Sequence, residues 1–272
     1  MQKIIFYHGG PGMNGNPERH LLTEPLKKAG FELLCWDEPS SLRPGGYPFE
    51  PEKAFENYRL SAAEFLNSHA SNEDPAIVII YCFSSYIINH LIATHAERIK
   101  LLCIISPDFH IEKSERSIFN NLLNEFRLHQ ETGKASQMEE IIANYSGKYD
   151  ANTEKGWELA ASCPYLFNFY WHDEQLMQQY LQYYQDEYSI DPESFFNVRA
   201  QISEPAFKTD IPAVVIYGKH DRIISIPDEI KAIHEYLSNV EIVELEHAGH
   251  YPHIEETDKV ISVIKRKAEA TK

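Results

Sequence analysis

The sequence predicts an α/β fold with a doubly wound, mostly parallel sheet, and three features carry that prediction. Six short runs of β-branched and aliphatic residues are apolar throughout and do not alternate, as strands buried on both faces must be. Amphipathic stretches of helical length separate most of them. Strand, helix, strand in repetition builds a parallel sheet with right-handed crossovers. The repetition breaks once, between about Asp108 and Asp210, where the chain turns helical and polar–aromatic.

In chain order, the strands are expected near Lys3–Tyr7, Glu32–Trp36, Ala76–Tyr81, Lys100–Ile105, Ala213–Tyr217 and Glu241–Glu244. Helices are expected over Pro51–His69, Ser84–His95, Ile226–Leu237 and Glu256–Lys267. The first sets Phe55, Tyr58, Ala62, Phe65 and Leu66 on one face. The third opens with proline in its first turn, a common helix start. Within the interruption, Asp173 and Asp191-Pro192 fit helix starts. Its aromatics, among them Phe119, Trp157, Phe167, Tyr170, Tyr184, Tyr188 and Phe195, mostly suit an internal core, with a few left to line a pocket. The expected division is a core of residues 1–107 and 211–272, with residues 108–210 forming a helical lid.

Composition narrows the function. With 41 acidic against 25 basic residues the net charge is −16, which argues against a general nucleic-acid binder. No apolar run approaches the roughly 18 residues of a membrane span. Met1–Tyr7 enters an apolar run without a small-residue cleavage site, so it reads as a strand, and the expected location is the cytoplasm. The four cysteines, Cys35, Cys82, Cys103 and Cys163, form no CxxC pair and signal no metal or redox motif. Neither a metal nor another cofactor is expected.

Four segments carry chemistry, each at the C-terminal end of an expected strand. His8-Gly9-Gly10-Pro11-Gly12 follows the first, and glycines there let backbone N–H groups approach a developing oxyanion. Tyr81-Cys82-Phe83-Ser84-Ser85 follows the third, at a strand-to-helix turn where a nucleophile can sit between small neighbours. Cys82 and Ser84 offer competing registers. Ser84 and Ser85 are small enough to follow Cys82, whereas Tyr86 is too large to follow Ser84. Gly218-Lys219-His220-Asp221 follows the fifth strand, and His247-Ala248-Gly249-His250-Tyr251-Pro252-His253 follows the sixth. Histidines spaced by three could suggest a metal site, but a loop does not align them as a helix would.

Taken together, these segments resemble the proline iminopeptidases and their relatives in the α/β-hydrolase superfamily. The resemblance spans both ends of the chain and omits the interruption. It implies an α/β-hydrolase fold with Cys82 as nucleophile, Asp221 as acid and His250 as base, in the family's chain order. It implies oxyanion donors at the Gly10 and Phe83 N–H groups and a His8 that shapes its loop. Ala96-Glu97-Arg98-Ile99 matches a family segment fourteen residues beyond the nucleophile when counted from Cys82, which favours that register. Asp108 is a rival for the acid, since some relatives place it there. Family members bind a substrate amine through lid glutamates, for which Glu158, beside Trp157, is a weak candidate substrate-binding residue.

The chain also departs from that pattern. It begins at the strand before HGGPG where relatives usually carry two earlier strands, which predicts a sheet shortened at its N-terminal edge that a second copy of the chain could cover. Asp37-Glu38-Pro39-Ser40-Ser41 lacks the family's arginine and glycine, and Ile80 breaks the elbow pattern. Two functions follow. One is hydrolysis or acyl transfer on a small-molecule or short-peptide ester, thioester or amide. The other is a non-catalytic binding protein on the same scaffold.

Overall fold

The computed structural model describes residues 1–42, 50–183, 192–203 and 205–271. Six strands form one parallel sheet: β1 (Gln2–Tyr7), β2 (Phe31–Cys35), β3 (Ala76–Tyr81), β4 (Ile99–Ile105), β5 (Ala213–Gly218) and β6 (Val240–Leu245). Their spatial order is β2-β1-β3-β4-β5-β6. All six expected strands are present, with ends moved by a residue or so. β1, β3, β4 and β5 are buried over most or all of their length, which is why their sequences do not alternate.

Alternate residues still feed two different layers. On β3, Val78 and Ile80 join a core with Tyr58 and Leu66 of helix α2 (Ala54–His69), Leu91 of α3 (Ile88–His95) and Ile233 of α9 (Ile226–Tyr236). Ile77 and Ile79 join a second core with Leu22 and Leu26 of α1 (Asn16–Lys28) and Ile264 of α11 (Thr257–Ala270). Helices thus cover both faces, and each buried aliphatic side chain contributes about 1.5–3 kcal/mol relative to exposure.

The helices differ from expectation in informative ways. Helix α1 was not expected, because Pro25 within it and a charged surface mask its pattern; only Glu18, Leu22 and Leu26, four residues apart, are buried beyond Pro17. Pro51–Lys53 forms a tight 3-10 turn ahead of α2. The stretch expected as one helix from Ser84 is a 3-10 segment, Cys82–Ile87, before α3 begins. The C-terminal helix divides into α10 (Pro252–Glu255) and α11. No described helix is long and apolar enough to cross a membrane.

Between β4 and β5 lie α4 (Ile111–Leu128), α5 (Thr132–Ala143), α6 (Ala151–Ala161), α7 (Glu174–Gln182) and α8 (Pro192–Arg199). Asp150 and Asp173 cap α6 and α7 by accepting backbone N–H groups. Asp191, Tyr184 and Tyr188 lie outside the described residues. Phe119, Leu122, Phe126 and Met138 make a third core, which Ile223 and Ile224 of the loop after β5 enter.

A buried ion pair ties this insertion together. Arg199 of α8 donates through Nε and Nη2 to the two carboxylate oxygens of Glu115 on α4, at 3.0 and 2.7 Å. Tyr145 and Trp157 donate to the same oxygens. Glu115→Ala leaves the Arg199 guanidinium buried and unpaired, with an expected cost of about 3–5 kcal/mol. The shift of the urea midpoint measures it, and a Glu115→Met, Arg199→Met double variant should recover most of the loss.

Candidate active site

At the end of β3 the backbone turns sharply. Cys82 has φ of 51°, a left-handed conformation that costs a non-glycine residue on the order of 1–3 kcal/mol. Among the described cysteines only Cys82 is not fully buried, and it lines a cavity. Ser84 takes the opposite course. It is fully buried, and its hydroxyl donates to the His8 carbonyl at 2.5 Å and meets the Tyr58 hydroxyl at 3.2 Å. Of the two registers, the strained turn and the accessible side chain belong to Cys82. The buried Ser84 and Ser85 supply the small volume beneath it.

Helix α9 and the sheet place the carboxylate. Asp221, in the loop after β5, accepts from the N–H groups of Ile223 and Ile224 through Oδ1 and receives His250 Nδ1 on Oδ2 at 2.7 Å. Both side chains are sealed from solvent. The rival Asp108 makes no such bond to His250. The close approach of the two loops requires glycine: a Cβ on Gly218 would stand 2.1 Å from the Gly249 carbonyl oxygen.

His250 is held from three sides. Its N–H donates to the Tyr170 carbonyl at 2.6 Å, and its carbonyl accepts from Ser106 Oγ at 2.9 Å. Glu255 accepts from the Gly249, His172 and Asp173 N–H groups, joining the histidine loop to the insertion. Ser106 is itself buried in a left-handed conformation, φ 44°, at the end of β4. The sequence offered no signal for Ser106 or for the Tyr170 carbonyl as holders of His250, because each reaches it from far along the chain.

Burial works against a charged His250, but Asp221 and the Cys82 sulfur outweigh it and raise its pKa well above the usual histidine range. Burial pushes the Cys82 thiol up, and His250 pulls it back down. His250 Nε2 makes no hydrogen bond of good geometry, yet it lies near enough to the sulfur for each group to shift the other.

Gly10, with φ of 55°, lines the same cavity as Cys82, Phe83 and His250. The glycine loop is anchored by Glu38, which accepts the Gly12 N–H at 2.9 Å, while Arg19 pairs with Asp37. His8 stacks on Trp36 and donates to the Gly9 carbonyl at 2.9 Å, and burial lowers its pKa, so it shapes the loop as a neutral ring. The cavity holds about 270 Å³ and is mostly apolar, with Trp157, Phe167, Tyr170, Phe195 and Phe196 among its walls.

Glu158 does not line this cavity. It is exposed and lines a groove on the outside of α5 and α6, one residue from Trp157 but on the opposite side of the helix from the cavity. The buried carboxylates that do border the cavity are Asp108 and Glu115. The three histidines spaced by three diverge: His247 is exposed, His250 meets Asp221, and His253 is buried beside Glu18. Among the described residues no cluster of metal-ligating side chains is found.

Comparison with known proteins agrees with this architecture. The alpha/beta hydrolase fold family matches residues 3–257. Similar solved structures include an esterase from Exiguobacterium antarcticum, with a TM-score of 0.62 and 11% identity over 99% of this chain and 92% of that one. A Bacillus megaterium epoxide hydrolase gives 0.60 and 14% identity over 99% and 94%. A lipase-esterase related protein from Clostridium acetobutylicum gives 0.62 and 16% identity over 97% and 93%. A search of curated protein sequences found no match.

The His250 shift has a consequence for stability. Because the folded-state pKa is raised, the contribution of the charged pair is fully present below about pH 6.5, the unfolded value, and fades as pH rises through the folded value. Asp221→Asn should therefore lower the urea midpoint more at pH 6 than at pH 9. An equal or larger loss at pH 9 would contradict the assignment.

Proposed function

The chain belongs to the alpha/beta hydrolase fold family, with an esterase and an epoxide hydrolase among similar solved structures, and from that premise we propose that it acts on a small-molecule ester, thioester or amide through Cys82, His250 and Asp221. The observation that carries the reading is the left-handed Cys82 in one cavity with an imidazole whose far nitrogen is held by a buried carboxylate.

The Cys82 sulfur attacks the substrate carbonyl carbon with its proton on His250, where Asp221 stabilises the imidazolium. The N–H groups of Gly10 and Phe83 receive the oxyanion, each donor supplying about 3 kcal/mol. Collapse breaks the bond to the leaving group, which takes the proton from His250. His250 then deprotonates a water, or an acceptor alcohol or amine, that attacks the acyl-thioester and returns the proton to the sulfur.

The helices of residues 108–210 act as the lid of this site. The HGGPG segment supports kinship with proline iminopeptidases, but the exposed Glu158 gives no support to amine recognition at that position. An apolar, aromatic cavity favours an uncharged ester or thioester over a peptide with a free amine.

Iodoacetamide at neutral pH should label Cys82 well ahead of the buried Cys35 and Cys103, and His250→Ala should slow that labelling at least tenfold (about 1.4 kcal/mol). Cys82 reacting no faster than Cys35 or Cys103 would favour a binding protein. p-Nitrophenyl esters should turn over, and Cys82→Ala should abolish the turnover while leaving the fold intact.

A further inference from the structure

Of the two buried carboxylates that border the cavity, Glu115 is engaged by Arg199, and Asp108 has no part in the acyl-transfer steps. Asp108, just beyond β4, is 5% exposed and lines the cavity beside Cys82 and His250. Its backbone N–H donates to Ser85 Oγ at the elbow, and its Oδ1 accepts from Ser114 Oγ of α4 at 2.9 Å. Oδ2 takes no hydrogen bond among the described residues, and the residue lines the cavity. A carboxyl oxygen set without a partner in an apolar chamber is a recognition group waiting for a ligand atom.

We propose that Asp108 is a specificity-determining residue of this site: its free carboxyl oxygen meets the acyl part of the substrate, donates a hydrogen bond to an acceptor atom there, and rejects acyl groups that carry a negative charge. This deepens the hydrolase reading and rests on it.

The surroundings say why the group donates. Burial, with Glu229 and Glu115 nearby, raises the Asp108 pKa from 3.8 to about 7, and the Ser114 hydroxyl and His250 only partly oppose that. Glu229 on α9 is engaged by the Phe109 N–H and His110, and Glu115 by Arg199, so neither cation is left to pair with Asp108. Cys82, Tyr86 and Tyr170 also face it, and each feels its charge. Near neutral pH much of the carboxyl keeps its proton and has one direction in which to offer it. Once deprotonated, it adds a negative charge to a chamber where the His250 imidazolium is already paired with Asp221.

Two alkylating probes that differ in charge test this without knowledge of the natural substrate. Iodoacetamide and iodoacetate both consume the Cys82 thiolate, so the ratio of their rates cancels the thiolate fraction. In the wild-type protein the preference for iodoacetamide should grow about tenfold from pH 6 to pH 8, with its midpoint near 7. Asp108→Asn keeps the shape and the donor and removes the titration, so its ratio should change less than twofold. Ser114→Ala withdraws the bond that favours the carboxylate and should move the midpoint upward, an effect no purely structural role predicts. Labelling of Cys82 with a ratio independent of pH, or equal in wild type and Asp108→Asn, overturns the inference and leaves the hydrolase reading standing. Failure of both reagents to label Cys82 in the folded wild-type protein overturns both.

Discussion

An imidazole sealed from solvent is stable as a cation only beside an anion, and the 2.7 Å contact between His250 and Asp221 meets that requirement. Much else in the molecule serves the contact. The N–H groups of Ile223 and Ile224 hold the carboxylate, Ser106 and Tyr170 hold the histidine backbone, and glycine at 218 lets the two loops approach. Without Asp221, burial alone would push His250 toward the neutral form and leave the Cys82 thiol with less to lower its pKa.

The insertion is bound to the same contact and is more than a cover. Its Tyr170 carbonyl takes the His250 N–H, and Glu255 ties the histidine loop to the start of α7 through three backbone N–H groups. The Glu115–Arg199 pair stiffens the insertion from within, on the side that borders the cavity. Helices that line the cavity therefore also hold His250 in place.

Much of the scaffold was legible in the residues. The strands declared themselves because burial on both faces demands uninterrupted apolar runs, and β3 shows it in Ala76–Tyr81. Helix α1 was hidden, since Pro25 within it is a usual breaker and only one narrow stripe of it is buried. At the elbow, the small Ser84 and Ser85 hinted at Cys82, but the spacing left Ser84 in contention. The φ of 51° at Cys82 and the buried, engaged Ser84 hydroxyl support the proposed role of Cys82 over Ser84. Glu158 shows the limit of adjacency: its neighbour Trp157 points into the cavity, and a helix turns successive side chains about 100° apart.

The sequence by itself determined the parallel sheet and which loops, at the ends of its strands, carry Cys82, Asp221 and His250. These follow from periodicity and from turns that only certain residues tolerate, information held within a few neighbouring positions. Tertiary structure alone decided that Asp221 and not Asp108 meets His250, that Glu115 and not Glu158 borders the cavity, and that Asp108 keeps an oxygen free. The charge and pairing of a buried carboxylate depend on groups brought from distant parts of the chain, such as Arg199 to Glu115 or Glu229 to Asp108, and no local spacing records them.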